Sequence, residues 1–180
     1  MFRTISGLLL ALGGIAWANE QAPSKSNIRV ECHGQLRHGV VAIGGETTGT
    51  TIGFDRTTLE LRLPDDVCRK FAADHHKKHV VAVGSLRRVC GTTIPVRWIV
   101  DVERLDERKT DSSKPGAIAT VTGHLKNIDA PSNDTGGLAV EADGVSWPLV
   151  FADNNGTAAE TKTLVNLPVI VTGRVDSLPP

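Results

Sequence analysis

The sequence is poor in aromatic residues and carries no net charge. It has no tyrosine, only 4% aromatic residues, and 20 Lys and Arg against 20 Asp and Glu among 180 residues. Proteins that hold single-stranded nucleic acid stack bases on aromatic side chains above a basic groove. A neutral chain also gains little from an anionic membrane or a phosphate backbone. The composition therefore predicts that nucleic acid is not a partner.

Long apolar runs are absent after the first eighteen residues. Residues 1–18, MFRTISGLLLALGGIAWA, have an arginine near the start, an apolar run from Leu8 to Ile15, and small residues at the end. This order is typical of a secretory signal peptide and predicts cleavage before Asn19. A membrane anchor is the alternative, but the run is well short of the roughly 20 residues that span a bilayer. We therefore expect a periplasmic or secreted protein with a short N-terminal segment, residues 19–27, and no membrane span after cleavage.

Cysteine is also scarce, with Cys32, Cys68 and Cys90 only. In an oxidising compartment cysteines tend to pair. Three of them predict one disulfide bridge and one unpaired thiol.

The chain divides at a polar stretch. Residues 108–116, RKTDSSKPG, have no apolar periodicity and are typical of a linker. The preceding part, residues 28–109, has 14 Lys and Arg against 11 Asp and Glu, whereas residues 110–180 have 4 against 8. We predict two units, residues 28–107 and 117–180, of mildly opposite charge.

The two units resemble each other in order of segments, which indicates an internal duplication. The matching pairs are VECHGQLR with ATVTGHLK, TTGTTIGFD with GGLAVEADG, LELRLPDD with WPLVFADN, and HVVAVGSLRR with LPVIVTGRVD.

Apolar residues alternate with polar ones along several short segments, which predicts strands with one buried face. The predicted inward sets are Leu59, Leu61 and Leu63; Val96, Trp98, Val100 and Val102; and Val145, Trp147, Leu149 and Phe151. With Phe54 and Phe71, these sets take up every aromatic ring after the signal peptide, so the rings are expected in the core.

One helix is predicted in each unit. Residues 64–79, PDDVCRKFAADHHKKH, begin with acidic and end with basic residues, which suits the helix dipole. Residues 153–166, DNNGTAAETKTLVN, form a weaker helical pattern at the same place in the second unit.

The order of three strands, a helix and two strands resembles the OB fold, a five-stranded Greek-key barrel. The layout and the segment GGETTGT are similar to those of uncharacterised exported bacterial OB-like proteins. The resemblance implies a mainly β fold of two OB-like barrels, each with its helix between strands three and four. The second barrel is one strand short, and LPVIVTGRVDSLPP aligns with either the fourth or the fifth strand.

A glycine- and threonine-rich stretch, residues 38–54, is the first candidate site. It lacks the lysine of a phosphate-binding P-loop, so a strand connection is the simpler interpretation. In an OB barrel, however, this loop and the loop RVCGTTIP flank the usual ligand face. The resemblance therefore implies a polar binding rim suited to a saccharide, a peptide or a protein. Its residues are Glu46, Thr47, Thr48, Thr92 and Thr93.

Histidines suggest a second possibility. His75 and His79 are four residues apart in the predicted helix, a spacing that can chelate a metal ion. Cys68 lies seven residues before His75, roughly on the same stripe, but a full site needs three or four ligands, so a solvated helix end is the simpler interpretation. A metal-binding protein remains an alternative function, although no cofactor is expected.

No catalytic set is recognisable. No serine lies in a Gly-x-Ser-x-Gly elbow, and Cys68 would need a lowered pKa to act as a nucleophile. An enzyme without a known motif is a further alternative. The expected function is non-enzymatic binding.

The OB order also implies a disulfide pairing. The start of strand one would lie opposite the end of strand four, which favours a bridge between Cys32 and Cys90. Pairing of Cys68 with Cys90 is the alternative.

Overall fold

The computed structural model describes residues 27–41, 46–108, 115–128, 137–151 and 161–179. The predicted signal peptide lies outside these residues. The described part is mainly β, as expected. Its strands are β1 (Ile28–His38), β2 (Thr50–Phe54), β3 (Thr57–Arg62), β4 (His79–Val89), β5 (Arg97–Glu107), β6 (Gly116–Ile128), β7 (Gly137–Ala142), β8 (Val145–Leu149) and β9 (Pro168–Val175), and its helix is α1 (Asp66–Asp74). No described helix is long and apolar enough to cross a bilayer.

The first five strands close into a barrel. β1 pairs with β2, β2 with β3, β4 with β5 and β1 with β4, all antiparallel. The circle is closed by a parallel pairing of β3 with β5. The prediction of a five-stranded barrel in the first half is therefore confirmed.

Alternation of side chains fills the barrel. Leu59 and Leu61 of β3 and Val100 of β5 are almost fully buried, and Leu63 packs against the same core. Successive side chains of a strand point to opposite faces, so these positions all face inward. The rings of Phe54, Trp98 and Trp147 are buried, and those of Phe71 and Phe151 pack on the core, as predicted.

Helix α1 follows β3 and begins as predicted, because the Asp65 side chain accepts a hydrogen bond from the Cys68 backbone N–H at 2.8 Å. It ends earlier than predicted. His75 is the C-cap, and Lys77 has a positive φ of 66° that turns the chain into β4. The basic residues predicted to complete the helix instead form this connection.

Strands β6 to β9 repeat the path of β1 to β4. Adding 89 to both members of the β1–β4 pair Arg29–Ser85 gives Ile118–Arg174, which is a pair of β6 and β9. Gly34 and Gly123, also 89 apart, occupy equivalent crossings, since a side chain at either would collide with a carbonyl oxygen of the next strand. The two halves therefore share the same strand register at an offset of 89 residues.

The chain also enters the two final strands in the same way. The Leu36 carbonyl oxygen accepts a hydrogen bond from the Lys77 N–H at 2.7 Å. The Leu125 carbonyl oxygen accepts one from the Asn166 N–H at 2.8 Å. Lys77 and Asn166 both have positive φ, 66° and 68°. β9 is therefore the counterpart of β4, which decides between the fourth and fifth strand.

The structure corrects two of the four sequence matches by one residue. Asp55 and Asp143 occupy the equivalent turns with φ of 48° and 52°, although the sequence match had placed Asp55 opposite Gly144. Likewise Gly84 corresponds to Gly173, not to Thr172, by the shared register of β4 and β9. A one-residue slip would reverse the inward and outward faces of a strand, so strand pairing fixes an alignment that the sequence comparison leaves uncertain.

The halves join edge to edge. β1 pairs antiparallel with β6 from Ile28–Val121 to His33–Gly116. Each turn aspartate reaches across this junction: Asp143 accepts hydrogen bonds from Asn27, and Asp55 pairs with Arg174 at 3.0 Å. The joined strands form one continuous sheet.

The cores of the two halves also meet. Trp98 and Trp147 contact each other edge to face with centroids 5.3 Å apart. The indole N–H of Trp98 donates to the carbonyl oxygen of Pro179 at 3.2 Å. The C-terminal residues thus connect the end of β9 to the first barrel.

Candidate functional site

The two loops predicted to form a rim do lie together, and Glu46 connects them. Its carboxylate accepts hydrogen bonds from the Thr92 N–H at 3.0 Å, the Thr92 hydroxyl, and the N–H groups of Thr93 and Ile94 at 3.3 Å. Gly91 makes this approach possible, since a side chain there would collide with the carboxylate. We call this contact the Glu46 clamp.

The clamp favours the ionised carboxylate. The Thr92 hydroxyl, followed by the backbone N–H groups of Thr92, Ile94 and Thr93, lowers the pKa of Glu46 from its ordinary value of 4.5 to about 2. Hydrogen bonds to a charged form stabilise that form. Glu46 therefore fixes the loops to each other at neutral pH and spends its acceptor capacity within the protein.

The neighbouring threonines are also engaged. Thr47 accepts the Gly49 N–H through its hydroxyl at 3.1 Å, and the Thr48 hydroxyl donates to the Thr50 carbonyl at 3.1 Å. The Thr48 N–H donates to Glu60 at 2.9 Å. The described rim residues Thr47 and Thr48 are thus hydrogen-bonded within the protein.

A salt bridge forms the floor beneath the loops. Arg97 of β5 donates twice to Glu60 of β3, with both N–O distances 2.7 Å. Both side chains are mostly buried, with exposed fractions of 12% and 16%. The hydrogen bond from Arg97 lowers the pKa of Glu60, and the partial burial opposes this effect. Both side chains are therefore ionised at neutral pH, and their opposite charges cancel.

Loops and floor enclose a shallow cleft of about 290 Å³. Its polar lining consists of Glu46, Thr47, Thr51, Thr58, Glu60 and Arg97, with Ile94, Val96 and Trp98 as apolar neighbours. Threonine hydroxyls both donate and accept hydrogen bonds. The cleft can therefore hold a small ligand with hydroxyl or amide groups, while its carboxylates disfavour an anion.

Sequence reasoning identified the rim but missed Glu60, Arg97 and Gly91. Glu60 and Arg97 occur on the outward phase of two predicted strands, where charged residues are usually only solvated. Their contact depends on the parallel pairing of β3 and β5, which no local pattern reveals.

The histidine pair does not have the predicted geometry. His75 caps α1, stacks on Phe71 with centroids 3.9 Å apart, and donates from Nδ1 to the Phe71 carbonyl at 2.9 Å. His79 is the first residue of β4, so the two do not share a helix face. Across the described ranges, no three His, Cys, Asp or Glu side chains cluster as metal ligands.

The structure does not contain the predicted bridge between Cys32 and Cys90. All three cysteines are free. Cys32 lies opposite Ala82 in β4, eight residues before Cys90, which is about 26 Å along an extended strand. A disulfide requires Cα atoms within about 7 Å. The prediction placed the correct strand ends together but ignored how far Cys32 lies inside β1.

The thiols of Cys32, which is buried, and Cys68, which is partly exposed, both have raised pKa values. Burial, and secondarily the charge of Glu31, raises the pKa of the Cys32 thiol to about 12. Burial, and secondarily the hydrogen bond with Asp65, raises the pKa of Cys68. A nucleophilic cysteine needs the opposite shift.

A second concave surface lies in the second half, between β8 and β9. We call it the open groove. It has a volume of about 900 Å³ and is lined by Leu125, Pro148, Leu149, Val150, Phe151, Thr161, Leu164, Val169–Arg174 and Asp176. No binding residue was predicted here from the sequence, although the second unit was expected to be one strand short.

Comparison with known proteins gives no relatives. No protein-family model, curated protein or solved structure matches the chain.

Proposed function

We propose that the chain is an exported, non-enzymatic binding protein built on an OB-like barrel, with its ligand site in the cleft beside the Glu46 clamp. The strand order β1-β2-β3-β5-β4, closed onto β1, supports the OB-like description. In OB folds the face of strands two and three, flanked by loops 1–2 and 4–5, binds ligands. The cleft occupies this face. The second half is then an incomplete copy of the same barrel.

The observation that carries the proposal is the polar lining of the cleft, whose charged side chains are hydrogen-bonded to one another or to the loops. Glu46 holds both loops, and Arg97 and Glu60 hold the floor. A preorganised site spends less free energy on ordering its side chains when a ligand binds. The ligand is neutral and polar, a saccharide or a peptide, because the lining pairs its own charges and offers threonine hydroxyls.

An NMR titration of the ¹⁵N-labelled mature chain tests this proposal. The probes are maltotriose, diacetylchitobiose and tetraglycine, with inorganic phosphate as the anionic control. We expect at least one neutral probe to shift the amides of Thr51, Thr58 and Thr92 in a saturable way, and phosphate to leave them unchanged. No shift with any neutral probe, or a response to phosphate alone, would overturn the proposal.

Two threonine variants locate the site. Thr58→Ala removes a hydroxyl from the cleft floor, and Thr120→Ala removes one from the exposed face of β6, where it contacts Thr172 at 3.0 Å. Loss of a single neutral hydrogen bond costs about 1 kcal/mol, or roughly fivefold in affinity. We expect this weakening for Thr58→Ala only.

A further inference from the structure

The open groove has the place of a strand that the first half possesses. In the first half, β5 runs between β3 and β4, parallel to the former and antiparallel to the latter. Their counterparts are β8 and β9. Among the described residues β8 pairs only with β7, and β9 pairs only with β6. Both strands therefore present an unpaired edge to the groove.

Side chains that are buried in the first half are exposed to the groove in the second. Val80, Ala82 and Leu86 of β4 are buried almost completely. Their counterparts 89 residues later, Val169, Val171 and Val175, are only half-buried, and of these Val169 and Val171 line the groove. They form an apolar interior without its fifth wall.

The groove margin carries exposed apolar side chains. Val150, Leu164 and Ile170 line it with exposed fractions of 92%, 43% and 72%. Exposed apolar side chains that are contiguous mark interaction sites more often than isolated ones do.

Gly173 fits this interpretation. A side chain at Gly84 would collide with the backbone carbonyl of Asp101 in β5, whereas a side chain at Gly173 would meet no atom within 4 Å. Gly84 is thus required by the strand beside it. Gly173 likewise leaves room for a neighbouring backbone to come close, although no described strand lies there.

We propose that the open groove binds one extended segment of a partner polypeptide, which completes the second barrel by β-augmentation. The segment runs parallel to β8 and antiparallel to β9. Its backbone pairs with both edges, and alternate apolar side chains enter the groove, as Trp98, Val100 and Val102 of β5 do in the first barrel. Main-chain hydrogen bonds give such binding its affinity, and the side-chain pockets give it selectivity.

The charge beside the groove indicates which side chain the partner carries at one position. In the first barrel Asp101 of β5 pairs with Arg87 of β4 at 2.9 Å. The residue 89 positions after Arg87 is Asp176, which lines the groove and has Arg174 at 3.6 Å. The partner segment is therefore better matched by Lys or Arg where β5 has Asp101.

A synthetic peptide tests the proposal on the full mature chain. The probe is residues 96–107, VRWIVDVERLDE, labelled with fluorescein and followed by anisotropy. We expect saturable binding, and at least tenfold weaker binding of a peptide of the same composition whose apolar residues do not alternate. Absence of saturable binding, or equal binding of both peptides, would overturn the proposal.

Two variants assign the peptide to the groove. Gly173→Ala places a methyl group where the partner backbone must approach, and we expect at least tenfold weaker binding with an unchanged far-UV spectrum. Thr122→Ala alters an exposed residue of the paired strand β6 that does not line the groove, and this variant should bind as the unmodified chain does. Equal affinities in the two variants would show that the peptide binds elsewhere.

A third comparison tests the charge preference. The same peptide with Asp101→Lys should bind about two- to threefold more tightly at low salt, and this gain should disappear at high salt because exposed pairs are screened. Weaker binding of the lysine peptide at low salt would contradict the assigned orientation.

Other occupants give different results. If a second copy fills the groove, sedimentation shows a concentration-dependent dimer that Gly173→Ala disrupts, and the partner proposal fails. If the chain's own residues fill it, the peptide does not bind and Gly173→Ala destabilises the fold, which also contradicts the proposal. The groove lies in the half opposite to the cleft, so either site can fail alone.

Discussion

The first and second halves follow one chain path but differ in how they end. The first continues from β4 into β5 and closes, and its inward residues Val80 and Ala82 are fully buried. In the second, β9 is the last described strand, and the matching residues Val169 and Val171 stay half-buried. The difference shows that register and turns are set within four strands, whereas burial of the core depends on the fifth.

The glycines express the same contrast. Gly34 and Gly123 are both needed at their crossings, because β1 and β6 each meet a following strand. Gly84 and Gly173 occupy equivalent positions, but among the described residues only a side chain at Gly84 would collide with a neighbouring strand. Equivalent residues thus carry different constraints in the two halves.

The largest difference is expected between Gly84→Ala and Gly173→Ala. The first forces β5 away from β4, and overpacking of this kind costs about 3 kcal/mol of unfolding free energy. The second meets open space and should change stability by less than about 0.5 kcal/mol. Urea unfolding followed by circular dichroism measures both. Equal losses of unfolding free energy would show that the space beside Gly173 is as crowded as the space beside Gly84.

A smaller difference is expected between Leu61→Ala and Leu149→Ala, which occupy matching positions of β3 and β8. Leu61 is fully buried and Leu149 only partly. Removal of a buried leucine side chain costs about 3 kcal/mol, and a half-exposed one about 1 kcal/mol. Thermal unfolding of the two variants checks this. A greater loss of stability in Leu149→Ala would show that a further segment of the chain covers Leu149.

The two tryptophans should differ by one hydrogen bond. Trp98 donates to the Pro179 carbonyl, whereas the buried indole N–H of Trp147 has no acceptor among the described residues. Both changes to Phe reduce ring size, but only Trp98→Phe loses a bond worth about 1 kcal/mol. Chemical unfolding of the pair measures the excess, and equal losses would mean that the C-terminal contact is not formed in solution.

The smallest effect is a pH dependence confined to the first half. Because folding lowers the pKa of Glu46 from 4.5 to about 2, its contribution is complete above pH 4.5 and lost as the pH falls toward 2. The amides of Thr92 and Thr93 should therefore shift in this range in NMR spectra. Glu46→Gln should remove the transition, and Glu103→Gln, which changes an exposed carboxylate paired with Arg29, should leave it. A midpoint near 4.5 in the unmodified chain would contradict the clamp.

Local patterns predicted much of the fold. Alternation identified the inward faces of β3, β5 and β8, and the acidic start of α1 gave its first turn. Local patterns did not predict the end of α1, because the positive φ of Lys77 accompanies a hydrogen bond from its N–H to the Leu36 carbonyl oxygen, which is distant in sequence. The parallel pairing of β3 with β5 is equally non-local.

The candidate sites were predicted less completely. The loops around Glu46 and Thr92 were placed together through the OB resemblance, yet their mutual hydrogen bonds were not foreseen. Cys32 was assigned to the correct strand, but its distance from Cys90 depends on the register of β1 against β4. The open groove could be recognised only by comparing the two halves, because β5 of the first half has no described counterpart in the second.

Amide hydrogen exchange along β4 and β9 tests most directly whether the second half has an open strand position. The account predicts slow exchange at consecutive amides of β4, which is paired on both sides, and slow exchange only at alternate amides of β9, whose other edge faces the groove. Equal and continuous protection of both strands would show that the position is already filled and would contradict the account.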